Sequence, residues 1–334
     1  MKAYQLTQAG VEHLTAIDLP TPEPGPGEVL VRLHAASMNY LDLPVANNQY
    51  PGVHFPLIPV ADGAGEIAAL GAGVDGWSVG ERVVPHFKPR WIDGPIGPSA
   101  NDAMRGVKRD GSLAQYTIAT AASLVRTPEH LSDVEAATLP ITATTAWNAI
   151  RASGVAPGDT VLLLGTGGVS IFALQFARAA GARVVITSSS DEKLARARAL
   201  GADETINYRT HERWDDEVLR LTDGKGVQLV VEGGGTATFA RSLAATAYGG
   251  MVFTIGFLSG SALQFDAMPL IEKALRIQGN NTGSVANLAS AVRAITAHRI
   301  VPVVDRVFPW ERAAEAYAAL AAGAHFGKIA VTID

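Results

Sequence analysis

The chain has 334 residues, 48% of them hydrophobic, with 34 glycines, 18 prolines and no cysteine. This composition predicts a soluble α/β protein of two domains with many tight loops. A formal net charge of −5 leaves no electrostatic footprint for nucleic acid, and no basic amphipathic stretch marks a membrane surface. Without cysteine there are no disulfides, thiol nucleophiles or cysteine-ligated zinc.

From Met1 to about Arg126 the pattern is short strands and turns. Val29 to Ala35 alternates like a half-buried strand after the Pro/Gly-rich turn Pro22 to Gly27, and Gly63–Gly71 and Gly80–Pro85 read as further strands. Between Phe87 and Gly111 lies a Gly/Pro-rich excursion that includes Trp91; a loop of that length usually covers a site or forms an interface. Helical periodicity begins near Ser132, which is spaced from Glu135 as a capping box, and Thr142 to Ala152 reads as another helix. Strands are then predicted at 160–164, 183–188, 204–208, 227–232, 251–256 and 276–280. The helices between them fall near 169–180, 190–200, 212–221, 236–246 and 267–274. Six strands with five crossovers predict a doubly wound sheet ordered 3-2-1-4-5-6. The tail adds helices near 285–298 and 311–322 and strands at 303–304 and 328–332. No segment has the ~18 consecutive apolar residues of a membrane span, and Met1 to Gln5 lacks the apolar core of a signal peptide. A cytoplasmic location is the expectation.

The most informative stretch is Thr160 to Gly181. Four apolar residues, Val161 to Leu164, read as a strand buried on both faces, and Gly165-Thr166-Gly167-Gly168-Val169 turns the chain into an apolar helix. Strand, glycine turn and helix form the phosphate-binding start of a dinucleotide fold. Gly165 permits the tight turn, Gly167 lets a pyrophosphate approach the backbone, and the helix N-terminus offers free N–H groups. Ser170 stands where a third glycine or an alanine is usual and is small enough for close packing.

The whole chain resembles the medium-chain dehydrogenase/reductase superfamily, in its zinc-free, quinone-oxidoreductase-like branch. The resemblance is carried by Asn39-Tyr40-Leu41-Asp42, Asn48-Gln49-Tyr50-Pro51, Pro59 to Glu66, Thr145-Ala146-Trp147, Gly165 to Val169, Gly201-Ala202-Asp203 with Ile206 to Arg209, and His325-Phe326-Gly327-Lys328. It implies a GroES-like β-rich catalytic domain built from both chain ends, 1–126 and 283–334, around a Rossmann NADP-binding domain, 127–282. It also implies cofactor contacts at Asn39, Thr145, Gly233, Ile255, Gly256, Phe257, Phe326 and Lys328, and a homodimer seam at the outer strands 251–256 and 276–280. Zinc relatives place a ligating cysteine near Asn39, a His-Glu pair near Ala61-Asp62, and a four-cysteine lobe in the 87–111 excursion. None of those cysteines occurs, and the eight histidines have no ligand spacing, so no metal is expected.

An NAD-binding fold places an acid about 20 residues past the first glycine. Here that position falls in Thr187-Ser188-Ser189-Ser190. Ser189 and Glu192 are spaced as a capping box, while Ser188, Ser189 and Lys193 offer a 2′-phosphate site; one helix end can do both. Tyr208 and Arg209 end the next strand, where zinc-free relatives complete the phosphate pocket. NADPH is therefore expected over NADH. Without a metal, the developing oxyanion must be stabilised by hydrogen bonds, which suits quinones and α,β-unsaturated carbonyls as hydride acceptors. Tyr50 matches the tyrosine that related enoyl-thioester reductases use as proton donor; packing beside Pro51 is its alternative role. By resemblance Asn39 and Tyr40 face the nicotinamide pocket, with Asn39 as a polar clamp. Trp91 and Phe257 are candidate walls of a substrate pocket shared with Tyr40 and Tyr50. An alcohol or aldehyde enzyme and a non-catalytic NADPH-binding protein are the alternatives.

Overall fold

The structure, a computed structural model, describes residues 1–333. Two compact units emerge, one formed by Met1–Thr144 with the segment from Gly283 onward, the other by Thr145–Thr282. The first unit is organised by the eleven-residue strand Glu28–Met38. One edge of this strand pairs antiparallel with Asp62–Leu70; the other pairs with Tyr116–Thr120 and then with the C-terminal strand Lys328–Thr332. Because Ile329 pairs with Met38, the register sets Lys328 beside the end of the central strand. Val29, Val31, Leu33, Ile67, Leu113, Tyr317 and Ile329 form the fully buried core of this unit. Each aliphatic side chain removed from water there contributes about 1.5–3 kcal/mol.

Residues 127–144, assigned from sequence to the nucleotide domain, lie in the first unit. Polar contacts hold them there: Arg82 donates to Asp133 Oδ1 at 2.6 Å and to Leu131 O at 2.8 Å, and Ile141 N–H donates to Asp62 Oδ2 at 3.1 Å. The Ser132–Glu135 capping box is present, and Pro140 sits in a π-type turn, Leu139–Ala143, before the helix Thr144–Ser153. The excursion after Phe87 has a structural task. The carbonyls of Trp91 and Ile92 accept from the N–H groups of Val285 and Ala286, each at 2.9 Å. They therefore satisfy donors that the first turn of the helix Val285–His298 leaves open.

In the second unit six parallel strands run in the order Glu204–Asn207, Arg183–Ser188, Thr160–Leu164, Val227–Glu232, Thr246–Thr254, Arg276–Gly279. This is the order read from the sequence. Val161, Leu162, Leu163, Val184, Val185 and Ile186 are fully buried, as expected for strands covered on both faces. The order reverses between Thr160–Leu164 and Val227–Glu232, and ligands of such sheets bind outside the carboxyl ends of strands at that switch point. Two expectations need correction. The helix Asp191–Ala199 is capped by Ser190, whose Oγ accepts from Lys193 N–H at 3.3 Å, and not by a Ser189–Glu192 box. The 251–256 segment belongs to a strand paired on both sides, which leaves Arg276–Gly279, exposed at all four positions, as the edge.

Candidate active site

At the switch point Leu164 ends its strand and Gly165 turns with φ +77°, a conformation that L side chains rarely adopt. A Cβ at Gly165 or Gly167 would meet nothing within 4 Å. The turn is therefore an open cradle with no side chain over its backbone. Gly165 N–H donates to Thr187 Oγ1 at 3.3 Å, tying the turn to the neighbouring strand. Ser170 fits in place of a third glycine because its hydroxyl donates to Leu164 O at 3.0 Å. The helix Gly168–Ala179 starts at Gly167 with no side-chain cap, so its first N–H groups, near Thr166 and Val169, stay available to an anion.

Beside the turn, Ser188 and Tyr208 come together because Asn207 pairs with Ser188 and Tyr208 N–H donates to Ser188 O at 3.1 Å. Ser188 is buried, Ser189 and Lys193 are half-buried, and Tyr208 is exposed. Asp191, the first acid after the serines in sequence, has Oδ1 engaged by Asn207 Nδ2 at 2.7 Å. Across the switch point, Gly233 follows the strand Val227–Glu232, and its Cβ position faces Ile255 at 3.7 Å. Gly256 lies against Gly233 O, and Phe257 is exposed. Thr145 is buried. These residues fit a dinucleotide: open glycines at the turn, unclaimed N–H groups, and hydroxyls with a cation where an acid would otherwise stand.

In the first unit Asn39 is the hub of a buried polar cluster. Its backbone N–H donates to Asp42 Oδ2 at 2.7 Å and its Nδ2 donates to Asp62 Oδ2 at 2.9 Å. Its Oδ1 accepts from Lys328 Nζ at 2.7 Å and Thr142 Oγ1 at 2.9 Å. Nδ2 also reaches Ser37 O at 3.4 Å. Both lone pairs and both amide hydrogens of Asn39 are thus engaged inside this unit. Lys328 Nζ also donates to Met38 O at 2.5 Å, and Phe326 is buried nearby in sequence. Burial pushes the Asp42 carboxyl up to about 7 and Asp62 up to about 6, with Lys328 opposing the rise at both. Burial likewise draws Lys328 down to about 8, against the pull of Asp62 and Asp42. Asp42 Oδ1 and Asp62 Oδ1 remain unpartnered.

Tyr50 packs in an apolar cluster with Leu41, Ala61, Phe87 and Ile141. Burial raises its phenol, so it stays protonated and able to donate at neutral pH. Tyr40 is half exposed. Trp91 is occupied locally: its indole N–H donates to Gly94 O at 3.0 Å. The sequence reading did not find Asp62 and Thr142 as partners of Asn39, since only the register of distant strands joins them.

The zinc positions of the resemblance hold a carboxamide (Asn39), a methyl (Ala61) and a carboxylate (Asp62) already engaged by Asn39 and Ile141. Zinc requires thiolate, imidazole or carboxylate ligands in tetrahedral array, and this set does not fit it. Among the described residues no group of three His, Cys, Asp or Glu side chains is placed to hold a metal ion.

A parallel sheet with an open glycine turn at its switch point, carried in one chain with a β-rich unit closed by both chain ends, is the architecture of a nicotinamide-dependent oxidoreductase. Residues 25–129 match the family model described as alcohol dehydrogenase GroES-like domain, and residues 168–297 the one described as zinc-binding dehydrogenase. The chain is 42% identical to a zinc-type alcohol dehydrogenase-like protein of Schizosaccharomyces pombe, over 98% of this chain and 97% of that protein. The solved structure of an NAD-dependent alcohol dehydrogenase matches with a TM-score of 0.91 and 38% identity, covering 100% of both chains. A 2-octenoyl-CoA carboxylase reductase, CinF, in complex with NADP and 2-octenoyl-CoA matches with a TM-score of 0.89 and 28% identity, over 99% of this chain and 87% of that one. The chain belongs to the medium-chain dehydrogenase/reductase superfamily, a superfamily of oxidoreductases.

Proposed function

We propose that the chain is an NADPH-dependent, metal-independent oxidoreductase that transfers hydride to a quinone or an α,β-unsaturated carbonyl. The observation that carries this is the buried cluster at the family's metal position, where Asn39, Ala61 and Asp62 offer no ligand set for zinc, and Asn39 is tied instead to Asp62 and to the Lys328 ammonium. The Ser188, Ser189 and Lys193 end of the nucleotide sheet supports NADPH, because hydroxyls and a cation replace the acid that would bind a free ribose 2′-hydroxyl. When bound, the dinucleotide supplies the hydride. The N–H groups from Thr166 to Val169, at the uncapped start of the helix Gly168–Ala179, would hold the pyrophosphate, and Ser188, Ser189, Lys193 and Tyr208 would hold the 2′-phosphate. Tyr50, kept protonated by its apolar surroundings, donates a proton to the reduced acceptor. Conjugated acceptors suit such a site because charge moves to an oxygen that needs only a hydrogen-bond donor. The CinF neighbour, solved with an enoyl thioester and NADP, supports the same acceptor class.

The names of the yeast relative and the NAD-dependent neighbour favour one alternative, alcohol oxidation. The test is turnover of 1,2-naphthoquinone and of a simple enone with NADPH, run beside alcohol oxidation with NADP⁺ and NAD⁺ and repeated in a chelator. Conjugated acceptors reduced at an unchanged rate in chelator are the expected result. Alcohol oxidation that the chelator abolishes overturns the assignment.

The assembly proposed is a homodimer through the edge strand Arg276–Gly279. Ile277 on that strand, with Tyr248, Met268 and Ile271, gives the edge an exposed apolar surface. An uncovered apolar edge is a template for pairing, and a second copy satisfies it symmetrically.

A further inference from the structure

Glu232 is fully buried at the carboxyl end of a central strand. Its Oε1 accepts from Gly234 N–H at 2.6 Å, Gly235 N–H at 3.0 Å and Thr238 Oγ1 at 2.7 Å. Its Oε2 accepts from Ser242 Oγ. A buried carboxylate is tolerated only when its oxygens are satisfied. Here four N–H and O–H donors, none of them cationic, meet that need. The bonds bend the chain after Glu232 back over its own side chain. A Cβ at Gly234 would lie 2.3 Å from Thr238 Oγ1, and one at Gly235 2.3 Å from Gly260 O, so only glycines allow the loop to close so tightly.

The loop then carries a second one. Ser259 N–H and Oγ both donate to Gly234 O at 2.7 Å, and Thr236 N–H donates to Gly260 O at 3.0 Å. Ser259 Oγ accepts from Ala237 N–H at 2.9 Å. Ile255 N–H donates to Glu232 O at 2.8 Å. One carboxylate thus fixes the 233–238 loop, and that loop holds 255–260. We propose that Glu232 is a positioning residue that builds the half of the dinucleotide cradle across the switch point from the glycine turn. It aligns Gly233, Ile255, Gly256 and Phe257 for the nicotinamide half of the cofactor. The inference rests on the dinucleotide reading of this sheet and adds the residue that shapes its second wall.

The experiment compares binding of NADPH and of adenosine 2′,5′-bisphosphate, a fragment that needs only the glycine-turn half, by calorimetry on the full chain. Glu232→Ala leaves two backbone N–H groups and two hydroxyls without their acceptor, and weakens NADPH by about 10–100-fold while the fragment binds as before. Glu232→Gln keeps Oε1 for its three donors and restores most of the NADPH affinity. Glu232→Asp keeps the charge but draws the carboxylate back by a methylene; it weakens NADPH in the same direction and carries the test if Glu232→Ala does not fold. Amide exchange gives a readout free of cofactor: Gly234 and Gly235 are protected in the wild type and in Glu232→Gln and lose protection in Glu232→Ala. NADPH affinity unchanged in both Glu232→Ala and Glu232→Asp, equal weakening of NADPH and the fragment, or Glu232→Gln as weak as Glu232→Ala overturns the proposal. A wild-type chain that binds neither NADPH nor NADH refutes the dinucleotide reading instead, and the exchange measurement then judges the clamp alone.

Discussion

Asn39→Ala is the substitution that probes the buried cluster most directly. It removes the acceptor of Lys328 Nζ and Thr142 Oγ1 and the donor to Asp62 Oδ2. Two of these bonds end on charged groups, about 1.5–3 kcal/mol each, and the third contributes about 1 kcal/mol. Because the partners share one network and retain Met38 O and Ile141 N–H, losses do not sum fully, and the net cost is roughly 3–5 kcal/mol. At about 2–4 °C per kcal/mol, the unfolding midpoint falls by roughly 6–20 °C. Lys328→Met in the same background removes the buried ammonium that Asn39→Ala leaves under-partnered, so the double variant is less destabilised than the sum of the singles by about 1–3 kcal/mol. Differential scanning calorimetry of the wild type, both singles and the double variant reads this cycle. NADPH affinity measured on Asn39→Ala stays near the wild-type value, since no hydrogen-bonding capacity of the Asn39 side chain is left over for a cofactor. A midpoint unmoved by Asn39→Ala, or a strictly additive cycle, refutes the hub. A selective loss of NADPH binding returns Asn39 to the role of nicotinamide clamp.

Burial lifts Asp42 from 3.8 to about 7, so between those values the folded chain holds a proton that the unfolded chain has released. The stability this group contributes is full below about pH 4 and is lost as pH rises through about 7; Asp42→Asn, which cannot ionise, gains in midpoint relative to the wild type between pH 5 and 7.5, and a constant difference across that window refutes the assignment. Lys193→Ala raises the KM for NADPH by roughly 10–100-fold through loss of a charge-assisted phosphate contact and leaves NADH kinetics unchanged; equal weakening of both cofactors makes the residue structural. Ile277→Lys on the edge strand converts a dimer to a monomer in light scattering at micromolar concentration, and a wild type that is already monomeric refutes the interface.

Much of the nucleotide-binding sheet was legible because its signals are local. Apolar runs such as Val161 to Leu164 demand a doubly buried strand, Gly165 permits the turn that follows, and helical spacing continues to Gly181. Alternation of strand and helix then leaves the doubly wound order as the natural solution. The Ser132–Glu135 box was equally local and is present. Neighbouring serines were not so easily told apart: Ser190 rather than Ser189 caps the next helix, because the choice depends on where the backbone first becomes helical. The limits of the β-rich unit were harder still. Residues 127–144 join it through Arg82 and Asp62, which no pattern within that stretch encodes.

The chemistry of the Asn39 cluster was the least legible part. Its residue types are visible in the sequence, but Lys328 lies 289 positions from Asn39 and reaches it only because Ile329 pairs with Met38. Glu232 likewise reads as an ordinary strand end until Gly234, Gly235, Thr238 and Ser242 fold back onto it. Composition and periodicity report what each segment does with its own backbone and its apolar face. Whether a polar side chain is saturated, charged or free depends on partners delivered by strand register and burial, and those arise only when distant segments pack together.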